Sequence, residues 1–129
     1  MPAFRAGRTL TVKALTMPLP DLDTLEPDEL ADMVTDVRDA TTFLKALAHE
    51  GRLMMLCYLS DGEKTVTDFE KLLSMRQPAV SQQLMRLRSD GLVSARREGK
   101  AIYYAIADPK VACIVGTLYE MFCAEKGCK

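Results

Sequence analysis

The stretch RQPAVSQQLMRLRSDGLVSARREGKAIYYAI, residues 76–106, decides the fold because the spacing of its apolar residues changes once along its length. In its first half, Val80, Leu84 and Leu87 follow one another at steps of four and three residues. Such steps place apolar side chains on one face of a helix and leave the other face polar. This half of the stretch therefore predicts a helix with one buried side.

A shorter helix is predicted immediately before this one. Thr67, followed three residues later by Glu70, fits the capping-box pattern at a helix start. Residues 74–76 form only a short link to Pro78, which is well tolerated in a first helical turn because its missing N–H would have no partner there. Two helices joined by so short a link are typical of a helix-turn-helix.

The second half of the stretch changes to strand character. Asp90-Gly91 ends the helix, since glycine is common just past a helix C-terminus. Val93–Arg97 and Ala101–Ile106 are two short strand candidates, and Glu98-Gly99 supplies the turn because glycine adopts positive φ without strain. The predicted hairpin, with basic residues near its tip, is the wing of a winged helix-turn-helix.

Three further helices are predicted outside the stretch. The first spans Asp28 to Ala48, the second runs from about His49 to Ser60, and the last begins at Asp108-Pro109. The sequence LMMLCYL, residues 53–59, is apolar nearly all round, which indicates that the second helix is buried at the centre. The apolar stripes of the first and last helices consist of Leu30, Met33, Val34, Val37, Leu44 and Leu47, and of Val111, Val115, Leu118 and Phe122.

The predicted fold class is mainly α with a β-hairpin wing, a winged helix-turn-helix in the order α-α-α-α-β-β-α. The length of 129 residues favours one domain. We expect residues 1–26 to be an extended, flexible segment, residues 27–125 to be the winged-helix domain, and residues 126–129 to be a tail. No apolar run reaches the length of a membrane span, so we expect a cytoplasmic protein without membrane contact.

Charge is distributed unevenly along the chain. The net charge is only −1, but residues 74–104 contain six basic and two acidic residues, so this segment is basic on an acidic body. A basic segment of this kind is the electrostatic footprint of a polyanion-binding surface, although an ordinary solvated face has the same composition. Because the predicted helix-turn-helix and wing fall in the same segment, the sequence favours DNA binding.

A recognition helix buries one face and offers polar side chains near its N-terminal end to base edges in the major groove. The residues that suit base contacts, because Gln pairs with adenine and Ser donates or accepts, are Gln77, Ser81 and Gln82. The residues that suit contacts to phosphate or to the minor groove are Arg86 in the helix and Arg96, Arg97 and Lys100 in the wing. The partner expected from this pattern is double-stranded DNA.

The four cysteines are Cys57, Cys113, Cys123 and Cys128. They form no CxxC pair, and structural disulfides are disfavoured in a cytosolic chain. Within LMMLCYL, Cys57 is more readily interpreted as a small core residue than as a reactive thiol, since reactivity requires exposure and a lowered pKa. For Cys123, at the end of the last helix, the two interpretations stay equally open.

An enzyme is not expected from this sequence. His49 is the only histidine, so no nucleophile–base pair is indicated, and no glycine-rich phosphate loop occurs. A thiol peroxidase would need a polar, positively charged pocket around its cysteine, which LMMLCYL does not supply. No cofactor is indicated.

Two segments, FLKALAHEGRLMMLCYL and RQPAVSQQLMRLRSDGLVSARREGKAIYYAI, resemble the ArsR/SmtB family of winged-helix repressors. The resemblance covers roughly Thr41 to Phe122. It implies a homodimer in which the first and last helices pair, so that residues 27–125 form a DNA-binding and dimerisation domain on a palindromic operator. It also implies base reading by Gln77, Ser81 and Gln82, with the wing at Arg96 to Lys100.

Many members of that family sense metals, but the usual ligand positions do not carry ligands here. The helix before the turn reads TVTDFEKLL, without Cys or His, and the last helix, DPKVACIVGTLYEMFC, has no His. Soft-metal sites need several thiolates that converge. We therefore expect no metal site.

The positions of Cys57 and Cys123 resemble the dithiol branch of the family, the sulfide- and persulfide-responsive repressors of the SqrR, BigR and YgaV type. The resemblance implies that these two cysteines are redox-sensing and that reactive sulfur species crosslink them by a disulfide or polysulfide, which relieves operator binding. Alternatives are a repressor that senses a metal, a metalloid or a general oxidant such as peroxide, and a winged-helix module for protein contacts. No role is assigned to Cys113 or Cys128.

Overall fold

The structure is a computed structural model that describes residues 21–123. The predicted tail, most of the predicted N-terminal segment and Cys128 lie outside the described residues. After one 3₁₀ turn the elements are α1 (Pro27–Leu47), α2 (Glu50–Leu59), α3 (Val66–Leu73), α4 (Gln77–Ser89), β1 (Val93–Glu98), β2 (Ala101–Ile106) and α5 (Pro109–Phe122). This order confirms the predicted winged helix-turn-helix. Over residues 21–123, no helix combines the length and the apolarity that crossing a membrane requires.

The predicted start of α3 is wrong by two residues. The capping box is formed by Thr65, whose Oγ1 accepts from Asp68 N at 3.1 Å, while Asp68 Oδ2 accepts from Thr65 N at 2.9 Å. Thr67 and Glu70 have the same spacing but lie inside the helix. Thr65 is selected because its neighbour Lys64 is paired with the wing, which holds the backbone extended, as an N-cap residue requires.

The helix-turn-helix and the wing follow the predicted pattern. Between α3 and α4, Ser74 takes a left-handed conformation at φ 52°, which turns the chain sharply. Gly91, at φ 76°, ends α4, and Gly99, at φ 63°, lies in the hairpin turn. Strands β1 and β2 pair antiparallel from Val93 opposite Ile106 to Glu98 opposite Ala101.

A third backbone segment joins the wing. Lys64 and Tyr104 exchange two backbone hydrogen bonds, of 3.1 and 2.8 Å, in an isolated antiparallel bridge. The connection between α2 and α3 is therefore attached to β2. This attachment sets the position of the wing relative to the helix-turn-helix.

Helix α2 is central, as predicted, and packs against α1, α3, α4, α5 and β2. The predicted inner face of α4 is confirmed, since Val80, Leu84 and Leu87 are fully buried. Helix α2 is not buried all round, however, because Met54 and Cys57 are exposed. The core consists of Ala46, Leu47, Met55, Leu56, Leu59, Phe69, Val80, Leu84, Leu87, Leu92, Val93, Val111 and Val115.

The apolar stripe of α1 lies on one helix face, but most of it is not covered within one chain. Leu47 is buried, whereas Leu30, Val34, Val37 and Leu44 remain 46–54% exposed. At the end of α5, Met121 and Phe122 are also exposed, so the predicted stripe of that helix is buried at Val111 and Val115 only. Large exposed apolar faces of this kind mark interaction surfaces.

Candidate nucleic-acid interface and cysteine pair

The N-terminal half of α4 presents the polar residues predicted to read bases. Gln77 is the first residue of the helix and is exposed, and its Nε2 donates to Ser81 Oγ at 2.8 Å, one turn later. Gln82 is exposed beside Ser81. The structure thus brings Gln77 and Ser81 into contact, and it leaves Gln82 exposed in the same part of the helix.

Met85 belongs to the same surface, although its sequence position had suggested no role. It is 69% exposed, the highest value among the exposed large apolar side chains of residues 21–123. It follows Ser81 by four residues and Gln82 by three, so the three side chains are neighbours on one helix face. Recognition helices read bases at this spacing, and apolar side chains contact the thymine methyl group.

Arg86 lies outside the buried face of α4 but is paired within the helix. Its Nε donates to Asp90 Oδ2 at 2.8 Å, and both side chains contact solvent. Exposed ion pairs of this kind contribute little to stability. A phosphate can therefore replace Asp90 as the partner of Arg86 at small cost.

Arg96 is the most heavily paired basic residue of the wing. Its Nε and Nη2 donate to the two carboxylate oxygens of Glu63 at 2.8 and 2.7 Å, and its Nη1 donates to Glu98 at 2.6 Å. The guanidinium also lies over the ring of Tyr103, 4.7 Å from the centroid. These hydrogen bonds raise the pKa of Arg96, and the bond from Arg96 lowers the pKa of Glu63.

The partners of Arg96 show that this side chain holds the wing in place. Glu63 belongs to the connection between α2 and α3, next to the residue that bridges to β2. Sequence reasoning missed Glu63 because an acidic residue in a loop gives no local signal of a partner 33 positions away. The positive charge of Arg96 is therefore already compensated by two carboxylates, which its position in the sequence did not indicate.

Arg97 and Lys100 are the more available charges of the wing. Both are exposed, and Arg97 Nε makes only a 3.3 Å hydrogen bond, to the carbonyl of Gly99. Within residues 21–123, Lys100 forms no ion pair. Lys100 borders a surface depression together with Thr65 and Thr67 at the start of α3.

The two predicted redox cysteines lie on helices that contact each other. Cys57 is in α2, Cys123 caps the C-terminus of α5, and α2 packs against α5. The interpretation of Cys57 as a core residue is wrong, because its side chain is exposed, whereas Cys123 is half-buried. Exposure is one of the two properties that a reactive thiol requires.

Cys113, to which no role was assigned, lies on another part of α5. It is exposed and lines an open apolar groove with Phe43, Pro109 and Ile114. In residues 21–123, no three side chains among His, Cys, Asp and Glu lie close enough to hold a metal ion.

Arg52 is a buried charged residue that sequence reasoning did not single out. It is 9% exposed, and its guanidinium donates to the carbonyl of Ala46 at 2.6 Å, to that of Lys45 at 3.3 Å and to Gln83 Oε1 at 3.0 Å. Burial lowers its pKa, the charge of Arg86 acts in the same direction, and Asp90 opposes them. The guanidinium nevertheless has three acceptors, which satisfies its burial.

Comparison with known sequences agrees with this architecture. Residues 49–95 match the family described as bacterial regulatory protein, arsR family. A biofilm growth-associated repressor of Agrobacterium fabrum is 46% identical over 86 residues, which are 67% of this chain and 74% of the relative. The HTH-type transcriptional regulator YgaV of Escherichia coli is 33% identical over 96 residues, which are 74% of this chain and 97% of the relative.

Solved structures show the same fold. The reduced form of HlyU from Vibrio cholerae has a TM-score of 0.69 at 35% identity, over 72% of this chain and 98% of the other. The transcriptional repressor BigR from Xylella fastidiosa has a TM-score of 0.65 at 37% identity, over 78% of this chain and 99% of the other.

Proposed function

Because the chain belongs to the ArsR family of bacterial regulatory proteins, and is a transcriptional regulator and not an enzyme, we propose that it is a cytoplasmic repressor controlled by the pair Cys57 and Cys123. Reactive sulfur species join the two cysteines, and the joined form releases the operator. The observation that carries this proposal is the exposure of Cys57 on α2, which packs directly on the helix that ends at Cys123.

The covalent step balances when the inducer is a low-molecular-weight persulfide, RSSH. A disulfide forms when two cysteine thiols and one RSSH give the Cys57–Cys123 bond, one RSH and one molecule of hydrogen sulfide. Each additional sulfur atom in a polysulfide bridge consumes one more RSSH and releases one more RSH. The cysteines lose two electrons in each case, and the S–S bond of the first persulfide accepts them.

The functional unit of the proposal is a homodimer in which α1 and α5 meet the same helices of a second copy. The exposed apolar residues Leu30, Val34 and Val37 of α1 and Phe122 of α5 support this arrangement, since a two-fold interface would cover them. A symmetric dimer places its two α4 helices on the half-sites of a palindromic operator. A bond that ties α5 to α2 then changes the spacing of those helices.

In this proposal the DNA contacts divide by chemistry. The base readers are Gln77, Ser81 and Gln82, and Met85 adds an apolar contact beside them. Arg86, Arg97 and Lys100 bind phosphate, while Arg96 contributes mainly by holding the wing, because two carboxylates already compensate its charge.

The test compares wild type with Cys57→Ser and Cys123→Ser by gel shift and mass spectrometry, before and after treatment with persulfide. Treated wild type should release the operator and gain a link between the two cysteines, and neither variant should respond. Cys113→Ser is the matched control, because it removes an exposed cysteine of α5 outside the pair, and it should respond like wild type. Release by either single variant would contradict the dithiol switch.

The same experiment separates the alternatives. Peroxide in place of persulfide tests a general oxidant, and operator release by a metal ion in Cys57→Ser would place the inducer site elsewhere. A winged helix used for protein contact would show no DNA affinity, or an affinity that does not fall with salt.

A further inference from the structure

Arg52 connects three helices through one buried guanidinium. It belongs to the first turn of α2, and its hydrogen bonds to the carbonyls of Lys45 and Ala46 cap the C-terminal end of α1. Its remaining bond, from Nη1 to Gln83 Oε1 at 3.0 Å, reaches α4. The end of α1 and the middle of α4 are thus attached to the same rigid group.

The chemistry of this contact requires arginine. A planar guanidinium offers donors in several fixed directions, so it can serve two helix-end carbonyls and a side-chain amide at once. A lysine ammonium in the same place has a compact charge on a flexible stem and would not span the three acceptors. Because the Arg52 side chain is largely withdrawn from solvent, the loss of one acceptor would leave a guanidinium N–H without its partner, which costs free energy.

The position of Gln83 gives the contact a functional meaning. Gln83 follows Gln82 directly in α4. Gln82 is exposed to solvent, whereas Gln83 is half-buried and accepts a hydrogen bond from Arg52. Helix α1 carries the exposed apolar stripe that a second copy would cover. Arg52 therefore lies between the surface that would join two copies and the helix that would enter the groove.

We propose that Arg52 is a positioning residue for DNA recognition, which holds α4 at a defined orientation relative to α1 through Gln83. Because α1 would be shared across the dimer, Arg52 sets the orientation of each recognition helix relative to the other. The inference rests on the proposed function. It adds Arg52, whose guanidinium donates to Ala46, Lys45 and Gln83, to the residues proposed to control DNA recognition.

The experiment removes the hydrogen bond between Arg52 and Gln83 of α4 and keeps the hydrogen bonds from Arg52 to the carbonyls at the end of α1. Gln83→Met deletes the acceptor at nearly unchanged length, and it is measured beside Arg52→Lys and the double variant, all in the reduced form. Gln83→Met should lose operator affinity by roughly 5- to 150-fold, the range of a typical intramolecular coupling, and should keep affinity for unrelated DNA. The double variant should lose no more than the larger single loss, because both substitutions break the same contact.

Additive losses would overturn the inference, since they would mean that Gln83 acts on DNA independently of Arg52. An unchanged operator affinity in Gln83→Met would overturn it as well. If Arg52→Lys does not fold, Gln83→Met is compared with Gln83→Glu instead. Gln83→Glu keeps an acceptor for the guanidinium and should retain operator preference over unrelated DNA, which Gln83→Met should lose.

Amide hydrogen exchange, measured without DNA, tests whether Arg52 holds α4 in place. This test does not depend on the proposed function. In Gln83→Met, exchange should become faster in α4 and stay unchanged in α5. Unchanged exchange in α4 would overturn the positioning role even if the protein binds DNA. A wild-type protein without DNA affinity would contradict the proposed function, and the exchange result would still show whether Arg52 holds α4.

Discussion

Arg96 in the wing and Glu63, 33 residues earlier, form a two-point ion pair in which both carboxylate oxygens accept from the guanidinium at 2.7 and 2.8 Å. The pair joins β1 to the connection between α2 and α3, where Lys64 also bridges to Tyr104. The wing is therefore attached to the helix-turn-helix at two adjacent points. The basic residues of the wing therefore differ: Arg96 is paired with two carboxylates and holds the structure, whereas Arg97 and Lys100 are exposed.

The first prediction concerns that difference. Lys100→Ala should weaken binding to all DNA about equally and should reduce the slope of log affinity against log salt by about one, because one phosphate contact is lost. Arg96→Ala should reduce the slope by clearly less, since Glu63 and Glu98 already compensate its charge. Filter binding at several salt concentrations measures both slopes. Equal slope changes in the two variants would contradict the assigned roles.

The second prediction concerns pH. The hydrogen bond from Arg96 lowers the pKa of Glu63. A carboxyl with a lowered folded-state pKa stabilises the folded state above its unfolded pKa, and this contribution is lost as pH falls through the folded value. The attachment of the wing should therefore weaken in acid, from the ordinary glutamate range of about 4.3 downward. An NMR titration that follows the Tyr104 amide signal should show an acid transition in wild type as the attachment of the wing weakens. If the same transition persists in Glu63→Gln, a group other than Glu63 causes it.

The third prediction concerns base reading by α4. Gln82→Ala should cost about 1–3 kcal/mol of operator binding, the usual value of a two-point base contact, and should leave the affinity for unrelated DNA nearly unchanged. Competition between operator and unrelated duplex measures the preference directly. Lys100→Ala serves as the reciprocal control because it should weaken both. A parallel loss on both duplexes in Gln82→Ala would argue against a base contact.

The fourth prediction concerns the exposed stripe of α1. Val34→Glu should prevent dimer formation, because a carboxylate buried in an apolar interface without a partner is costly, and operator affinity should fall with it. Sedimentation velocity gives the oligomeric state. Thr35→Glu adds the same charge at the next position, on another face of α1, and should remain dimeric. A dimeric Val34→Glu would place the interface elsewhere.

Local patterns in the sequence were sufficient for most of the fold. The spacing of Val80, Leu84 and Leu87 indicated the buried face of α4, and all three are fully buried. Asp108 was predicted to cap the last helix, and its side chain accepts from Lys110 N at 2.9 Å. These features follow from interactions within a few residues, so a single segment contains the information that specifies them.

Local patterns were misleading where a contact with a distant element decides the local structure. Thr67 with Glu70 matched the capping pattern by residue type, whereas the helix is capped by Thr65 with Asp68, which has the same spacing and lies beside the pairing of Lys64 with the wing. Cys57 is a similar case. Its apolar neighbours indicated burial, but the arrangement of the other elements around α2 leaves its own side chain exposed.

The sequence by itself thus determined the order of the elements, the inner face of α4 and the polar residues that α4 offers. Only the tertiary structure decided which charges are already paired and which helices are attached to each other. Arg52 and Gln83 are 31 positions apart, and Arg96 and Glu63 are 33 apart. Contacts at such separations depend on how whole elements pack, because no periodicity or local spacing specifies which distant side chains will meet.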